Sequence, residues 1–214
     1  MVDPSALAVY VVTAAGLVPG RGHEDVAAAA IEGGATAIQL RARELADNDL
    51  LSLARRIAAR CREAGVLFVV NDRPDVAIAS GADGVHLGQG DRLGGTRGRV
   101  GVDRVLGISV GNPIEARGAE VAGADYLGVT VWATDTKPEA VPIGLDGIRA
   151  VVEATPLPVV GIGGIDAGNA HEVLSAGAAG VAVVSAVAAS PDPAAATRSL
   201  ADAVHRTIGR ERGA

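Results

Sequence analysis

Aromatic residues are scarce in this sequence. Phe, Trp and Tyr make up only 2% of its 214 residues, although 49% are hydrophobic. Any core must therefore be built from Ala, Val, Leu and Ile, and a chain of this length can bury a sizeable one. Because no change in composition and no linker divides the chain, we predict a single domain over residues 1–214.

Cysteine is also nearly absent, with Cys61 the single example. One cysteine cannot form a disulfide framework and argues against a structural zinc site, and it fits a reducing compartment. The N-terminal apolar run is short, β-branched and not preceded by a basic segment, so we interpret it as a first strand rather than a signal peptide. We therefore expect a cytoplasmic protein.

The sequence has neither an excess of basic residues nor a long hydrophobic run. Its net charge of −6 and pI of about 5.2 have the wrong sign for a protein that binds nucleic acid or an anionic membrane surface. No apolar run reaches the roughly 18 residues that a membrane span needs. We expect small-molecule partners, and the apolar helices leave open the possibility of a homo-oligomer.

Short β-branched runs alternate with segments of helical spacing along the whole chain. Eight runs predict strands: Ala8–Thr13, Thr36–Arg41, Leu67–Asn71, Gly84–Gly88, Val105–Val110, Asp125–Val131, Pro158–Gly163 and Gly180–Ser185. Seven segments predict helices: Glu24–Glu32, Asn48–Ala64, Pro74–Ser80, Pro113–Ala122, Leu145–Glu153, Ala167–Ser175 and Pro193–Ile208. The glycine-rich segment between Gly88 and Val105 allows at most a short turn of helix.

This alternation predicts the α/β fold class. Strands that alternate with helices form a parallel sheet, and eight such units in about 200 to 250 residues predict a single-domain (β/α)8 TIM barrel. The alternative is an open doubly wound sheet, which is disfavoured because no G-x-G-x-x-G follows the first strand. Before four strands, we expect Gly33, Gly81, Gly123 and Gly177 to end the preceding helix in the left-handed conformation.

Two aspartates follow consecutive predicted strands in VNDRPDVAIASGADGVHLGQGD. In a barrel the carboxyl ends of the strands form the active-site face, so Asp72 and Asp91 should lie close together there. Two neighbouring carboxylates repel each other unless a cation lies between them, and oxygen ligands suit Mg²⁺. The alternative is that each aspartate caps the N-terminus of a helix.

A polar stripe marks the end of the second predicted strand, in AIQLRAR. Residues two apart in a strand share a face, so Gln39, Arg41 and Arg43 should point toward the barrel mouth. Buried guanidinium groups require a partner, and two arginines suit a phosphate or pyrophosphate. Alternatively, Arg43 lies beyond the strand and is solvated.

Three further segments fit phosphate binding. WATDTKPEA supplies Thr134, Thr136 and Lys137 after the sixth strand, as a phosphate-binding lid would, although an ordinary surface loop is the alternative. GIGGI and VVSAV, which carry Gly164 and Ser185, end the last two strands, where barrels often bind phosphate through backbone N–H groups. Tight packing of strand on helix would also require these glycines. We predict one site for a pyrophosphate and a monophosphate.

The histidines do not form a recognisable catalytic or metal-binding motif. His171 and Glu172 lack the second His of H-E-x-x-H. We expect His86 to be a hydrogen-bonded interior residue rather than a ligand, and His23 and His205 to lie on the surface. Since nothing indicates a nucleophilic triad, the chemistry should come from binding, the metal and electrostatics.

The motifs QLRAR, VNDRPDVAIASGADGVHLGQGD, TDTK, PVVGIGGI and AGAAGVAVVSAV resemble the thiamine phosphate synthase family in order and spacing, from about Tyr10 to Pro193. The resemblance implies a (β/α)8 barrel. It also implies that 4-amino-2-methyl-5-hydroxymethylpyrimidine diphosphate loses pyrophosphate with help from Mg²⁺, and that the ring nitrogen of thiazole phosphate captures the pyrimidine carbocation.

The resemblance also assigns residues. It implies that Asp72 and Asp91 hold Mg²⁺. It places the pyrimidine diphosphate, with its leaving pyrophosphate, against Gln39, Arg41, Arg43, Asn71, Ser109 and Lys137. It places the thiazole phosphate against Thr134, Thr136, Gly164, Val184 and Ser185. Arg41, Ser109 and Lys137 are the predicted catalytic groups, because donors and cations aimed at a charged leaving group lower the barrier.

The sequence departs from the family pattern at four places. Arg43 replaces a usual Lys, and Ala14 replaces a usual Asp after the first strand. The exit of the sixth strand, GVTVWAT, is one residue shorter than usual and has Ala133 in place of a Pro. Gly111 stands where the family often has His. The resemblance implies that the related thiazole tautomerases use this His as their acid–base group. A tautomerase and a non-catalytic phospho-ligand binder remain the alternative functions.

Overall fold

The computed structural model describes residues 2–89, 95–136 and 138–211. Its centre is a closed barrel of eight parallel strands in the order of the sequence, in which the first strand also pairs with the eighth. Each strand is followed by a helix on the outside of the barrel. The predicted (β/α)8 TIM barrel is therefore confirmed.

Each of the eight strands lies within the range predicted for it. They are β1 Val9–Val12, β2 Ala37–Leu40, β3 Leu67–Asn71, β4 Gly84–Leu87, β5 Val105–Ser109, β6 Tyr126–Thr130, β7 Val159–Ile162 and β8 Gly180–Val183. The predicted ends are up to two residues too long, because the sequence pattern does not mark where the ladder hydrogen bonds end.

The described residues contain nine α-helices, two more than the seven predicted. They are α1 His23–Glu32, α2 Asp47–Ala64, α3 Pro74–Ser80, α4 Thr96–Val100, α5 Pro113–Val121, α6 Gly144–Ala154, α7 Ala170–Ser175, α8 Ser185–Ala188 and α9 Pro193–Glu211. The short α4 fits the single turn allowed there. The prediction that Ser185 ends a strand was wrong, since it begins α8, and the 3-10 helix Pro4–Leu7 was also not predicted.

Three of the four predicted helix-ending glycines have positive φ. Gly81, Gly123 and Gly177 have φ of 74°, 85° and 100°. The prediction for Gly33 was wrong, because Gly33 has φ −77° and the next residue, Gly34, takes the left-handed conformation at 92°. Gly33 instead allows close packing on α9: a Cβ there would lie 2.5 Å from the carbonyl oxygen of Ala194.

The apolar core has two layers. A small cluster fills the barrel interior and consists of Leu7, Tyr10, Val12, Ala37, Val69, Tyr126, Val160 and Ala182. A larger layer lies between the barrel and the helices, where α2 presents Leu50, Leu53, Ala54, Ile57, Ala58 and Cys61 at helical spacing. Burial raises the pKa of the Cys61 thiol to about 12, so this cysteine is a packing residue and not a nucleophile.

The helices of the described residues are either too short or too polar to span a membrane.

Candidate active site

Two adjoining cavities open at the carboxyl ends of the strands. The central cavity encloses about 960 Å³, part of it open to solvent, and its walls include Gln39, Arg41, Arg43, Asn71, Asp72, Ser109, Thr134, Thr136 and Val184. The second, here called the β7–β8 cavity, is lined among others by Thr134, Thr136, Gly164, Val184 and Ser185. The structure thus brings eleven predicted site residues to one face of the barrel. The other two, Asp91 and Lys137, lie outside the described residues.

Asp72 has an unusual conformation and environment for an acidic residue. It follows β3 directly and has φ 59°, the positive-φ conformation that is unfavourable for residues with a side chain. Its Oδ1 is buried and has no hydrogen-bond partner within the described part of the chain. Its Oδ2 lies 3.4 Å from the Arg43 guanidinium. A buried anionic oxygen without a partner is costly, so this atom is suited to a bound cation.

The alternative interpretation of Asp72 as a helix cap was wrong. The N-cap of α3 is Arg73, and no side chain caps this helix. The strained backbone and the unsatisfied oxygen of Asp72 therefore have no role in starting α3. They fit the predicted Mg²⁺ ligand, for which hard oxygen donors are required. Within residues 2–89, 95–136 and 138–211, no group of three or more His, Cys, Asp or Glu residues could hold a metal alone, and the second predicted ligand, Asp91, falls in the gap between these ranges.

The end of β2 carries the predicted cationic stripe. Ile38 and Leu40 belong to the layer under the helices, while Gln39 lines the central cavity. Arg41 and Arg43 come after the strand has ended and still reach the cavity wall. Arg43 is more than half exposed, so its side chain is solvated as the alternative stated, but it also contacts Asp72. Burial lowers the pKa of Arg41 and the charge of Arg43 lowers it further, while nearby acids offset part of this shift.

His23 lies in the interior, and the prediction of a surface position was wrong. Its side chain is only 5% exposed, its Nδ1 lies 2.9 Å from Thr13 Oγ1, and its Nε2 lies 2.7 Å from Glu44 Oε1. Thr13 Oγ1 also accepts a long hydrogen bond from the Arg41 backbone N–H. Burial alone would raise the pKa of Glu44, but its bond to His23 and further contacts lower it overall. His23 thus ties the loops after β1 and β2 together and supports the position of Arg41.

A chain of hydrogen bonds forms the floor of the central cavity. Gln39 Nε2 donates to Tyr10 Oη at 2.9 Å, and Tyr10 Oη lies 2.9 Å from Tyr126 Oη. Tyr126 Oη lies 2.9 Å from His86 Nδ1, and His86 Nε2 lies 2.9 Å from Ser109 Oγ. Both ring nitrogens of His86 are hydrogen-bonded, as predicted. Burial raises the pKa of Tyr10 to about 12 and that of Tyr126 well above its ordinary value, so both phenols stay protonated at neutral pH.

The shortened exit of β6 still delivers its threonines to the site. Thr134 and Thr136 line both cavities, and their hydroxyl oxygens lie 3.0 Å apart. The loop rests on the two glycines after β7. A Cβ at Gly163 would lie 2.6 Å from the carbonyl oxygen of Trp132, and one at Gly164 would lie 3.1 Å from Trp132 Cβ. Both glycines have positive φ, so packing and backbone conformation together require glycine here.

Gly111 leaves room for a contact between the loops after β4 and β5. Glu115 accepts hydrogen bonds from the Gln89 side chain at 3.0 Å and from the Gly111 N–H at 2.8 Å. These bonds, the one from Gln89 foremost, lower the pKa of Glu115. A Cβ at position 111 would lie 2.8 Å from Gln89 Nε2, so this arrangement could not hold a histidine there without moving Gln89.

Comparisons with known proteins agree with this geometry. The family model described as thiamine monophosphate synthase matches residues 9–187. A thiamine-phosphate synthase from Moorella thermoacetica is 48% identical over 204 residues, which are 94% of this chain and 97% of the relative. A second one, from Natronomonas pharaonis, is 50% identical over 201 residues, or 92% and 94% of the two chains.

A solved structure gives the same result in three dimensions. Thiamine phosphate pyrophosphorylase from Pyrococcus furiosus superposes with a TM-score of 0.89 at 39% identity and covers 96% of this chain and 99% of its own. The family resemblance seen in the sequence motifs is thereby confirmed. The chain belongs to the thiamine monophosphate synthase family.

Proposed function

We propose that this chain couples 4-amino-2-methyl-5-hydroxymethylpyrimidine diphosphate to thiazole phosphate and releases pyrophosphate. Family membership makes it a transferase, as the sequence predicted. One observation carries the proposal of these substrates. Two cavities, each with groups suited to phosphate, adjoin each other, and Thr134 and Thr136 line both of them. Two phosphorylated substrates can therefore bind side by side.

In the proposed reaction the C–O bond between the pyrimidine methylene and the diphosphate breaks first. The electron pair leaves with the diphosphate oxygen, and the positive charge spreads into the aminopyrimidine ring. The thiazole nitrogen then donates its lone pair to the methylene carbon and forms the C–N bond. Because charge develops on the leaving group, fixed donors and cations around it stabilise the transition state.

The residues of the central cavity suit this step. Arg41 and Arg43 supply two cations on the β2 side, and Ser109 supplies a hydroxyl on the β5 side. Asn71 and Gln39 offer amides for the pyrimidine ring. Lys137, outside the described residues, is proposed as a third cation. The buried tyrosines close the barrel beneath this cavity.

Magnesium is part of the proposal through two acids. Asp72 and Asp91 would hold Mg²⁺, which would neutralise charge on the diphosphate as it leaves. Support comes from the buried Asp72 Oδ1, which lacks a partner in the described residues. A cytoplasmic location and a homo-oligomeric state stay predictions from composition.

The thiazole phosphate is proposed to bind in the β7–β8 cavity. The loop after β7 is fixed internally, since Asn169 Nδ2 donates to the Gly164 carbonyl at 2.8 Å and Asp166 caps Gly168 N–H at 2.7 Å. Glycines 163 and 164 let the backbone approach an anion closely. Ser185, at the start of α8, adds a hydroxyl to the same cavity.

The two alternative functions are less well supported. A tautomerase of the related type would need its acid–base histidine, and Gly111 stands at that position with Gln89 packed against it. A non-catalytic binder has little need of a metal-held leaving group, whereas Asp72 combines a positive φ with a buried Oδ1 that has no partner among the described residues.

A coupling assay tests the proposed function. The purified protein is mixed with the pyrimidine diphosphate and thiazole phosphate, with and without Mg²⁺, and thiamine phosphate is measured by chromatography. We expect product only when Mg²⁺ is present, and almost none from Asp91→Ala. If the folded protein forms no product under any condition, the proposed coupling is wrong, and thiazole aromatisation and ligand binding should be measured instead.

A further inference from the structure

The hydrogen-bond chain on the cavity floor crosses the barrel from β2 to β5. Its five members, Gln39, Tyr10, Tyr126, His86 and Ser109, come from five different strands, and each successive pair of polar atoms is 2.9 Å apart. All five side chains line the central cavity. The two ends of the chain, Gln39 and Ser109, are residues that the proposed function places against the substrate.

If His86 is neutral and both buried tyrosine hydroxyls donate within the chain, its hydrogen bonds can run in only two directions. The Gln39 amide nitrogen can only donate, so Tyr10 Oη accepts from it and gives its single hydrogen to Tyr126. Tyr126 must then give its own hydrogen to His86 Nδ1. A neutral imidazole with Nδ1 as acceptor carries its hydrogen on Nε2, so His86 donates to Ser109 Oγ. The hydrogen of Ser109 is left to point into the cavity.

The reverse direction follows if the Gln39 amide is rotated by half a turn. Its oxygen would then accept from Tyr10, each following hydrogen would turn round, and Ser109 would donate inward to His86 Nε2. Ser109 would present only oxygen lone pairs to the cavity. Lone pairs repel a phosphate anion, whereas an O–H group binds it.

We infer that Tyr10, Tyr126 and His86 are positioning residues that make Ser109 a hydrogen-bond donor toward the leaving diphosphate, with the direction set by Gln39. The inference rests on the proposed function for the identity of the anion. Gln39 is also placed against the pyrimidine. Four hydrogen bonds therefore connect the residue that contacts the pyrimidine to the orientation of the Ser109 hydroxyl.

The neighbouring strands are adapted to hold this chain. A Cβ at Gly107 on β5 would lie 2.2 Å from the Tyr126 ring, and one at Gly128 on β6 would lie 3.0 Å from His86 Cε1. Glycine at both positions therefore makes the space in which the ring of Tyr126 and the imidazole of His86 meet.

The first test measures the tautomer of His86 in the substrate-free protein by ¹⁵N NMR at mildly alkaline pH. The signal is assigned by its loss in a His86→Asn variant. We expect hydrogen on Nε2 in the wild type. Gln39→Glu has the same shape and, when ionised, offers only acceptors, so we expect it to move the hydrogen to Nδ1. Hydrogen on Nδ1 in the wild type, or an unchanged tautomer in Gln39→Glu, would overturn the inference whether or not the coupling assay succeeds.

The second test asks whether Tyr126 acts through Ser109. Tyr126→Phe keeps the ring and removes the hydroxyl. We expect kcat to fall about tenfold, which corresponds to the loss of one charge-assisted hydrogen bond, and KM to change less. In a Ser109→Ala background the same substitution should have no further effect. Equal losses in both backgrounds would show that Tyr126 is merely structural. If Tyr126→Phe does not fold, Tyr10→Phe breaks the chain one bond earlier and is measured in the same cycle.

Discussion

The environment of Asp72 predicts that its replacement by Asn has opposite effects on stability and on function. Asp72→Asn preserves the shape of the side chain, and Asn tolerates a positive φ as well as Asp does, so the backbone strain at 59° is unchanged. Only the charge on the buried Oδ1 and on the atom facing Arg43 is lost. We therefore expect the variant to be more stable than the wild type without metal and to lose its response to Mg²⁺.

The magnitude follows from two terms of opposite sign. A buried polar group without a partner costs about 1–3 kcal/mol, and a charged one costs more than a neutral one. The Arg43 pair is long at 3.4 Å and its guanidinium is 55% exposed, so its loss costs about 0–1 kcal/mol at most. The net gain for the metal-free variant is about 1 kcal/mol. In the wild type, Mg²⁺ at about 100 times its Kd should add about 2.7 kcal/mol.

Urea denaturation of both proteins, with and without Mg²⁺ and inorganic pyrophosphate, measures these differences. Asp202→Asn, the same change at an exposed position on α9, is the control and should behave like the wild type in every condition. The reasoning about Asp72 fails if the metal-free variant is less stable than the wild type by more than 1 kcal/mol, or if Mg²⁺ stabilises both proteins equally.

Two other predictions concern the cavity floor and the glycines after β7. The chain has two tyrosines in all, Tyr10 and Tyr126, and burial raises the pKa of Tyr10 to about 12, so the native protein should show almost no phenolate absorbance at pH 10.5 and full ionisation after urea is added. In this range the folded state binds more protons than the unfolded state. The free energy of unfolding should therefore fall as pH rises from about 10 to 12, by roughly 1.4 kcal/mol per pH unit for each tyrosine. Ordinary titration near pH 10 in the native protein would contradict the buried network. Gly163→Ala should lower the free energy of unfolding by about 1–3 kcal/mol and raise the KM for thiazole phosphate, because φ is 98° and the new Cβ meets Trp132. Gly98→Ala, with open space around it, is the control, and an unchanged KM in Gly163→Ala would argue against the thiazole phosphate position.

The fold could be predicted because its signals are local. Each strand is a β-branched run, and the sites where Pro74 and Pro113 start helices follow from the fixed φ of proline. The predictions that were wrong concern elements that are short or residues whose conformation depends on packing against distant parts of the chain. Helix α8 has only four residues, too few for a periodic pattern. Gly33 was predicted to end α1 in the left-handed conformation, whereas close packing against α9 explains this glycine.

The residues of the candidate site also fall into those that the sequence could predict and those that depend on distant contacts. Residues at strand exits, such as Asp72 and Ser109, could be found because the barrel collects all strand ends at one face. The position of His23 could not be predicted, since its burial depends on Glu44 from a different loop. The role of Tyr126 also lay outside the pattern: its partner Tyr10 is 116 residues away, and the two meet only when the barrel has closed.

In a chain with so few aromatic residues, two buried tyrosines in the barrel interior require an explanation. The other members of the interior cluster are aliphatic and contribute no polar group: Leu7, Val12, Ala37, Val69, Val160 and Ala182. Phenylalanine would fill the space of Tyr10 and Tyr126 equally well, and it would avoid the cost of burying two hydroxyls. The hydroxyls are worth keeping only if each has a donor and an acceptor, and the chain from Gln39 to His86 provides these without a break. A polar floor that is fully hydrogen-bonded adds little net stability, so its contribution must be sought in the orientation of Ser109 above it.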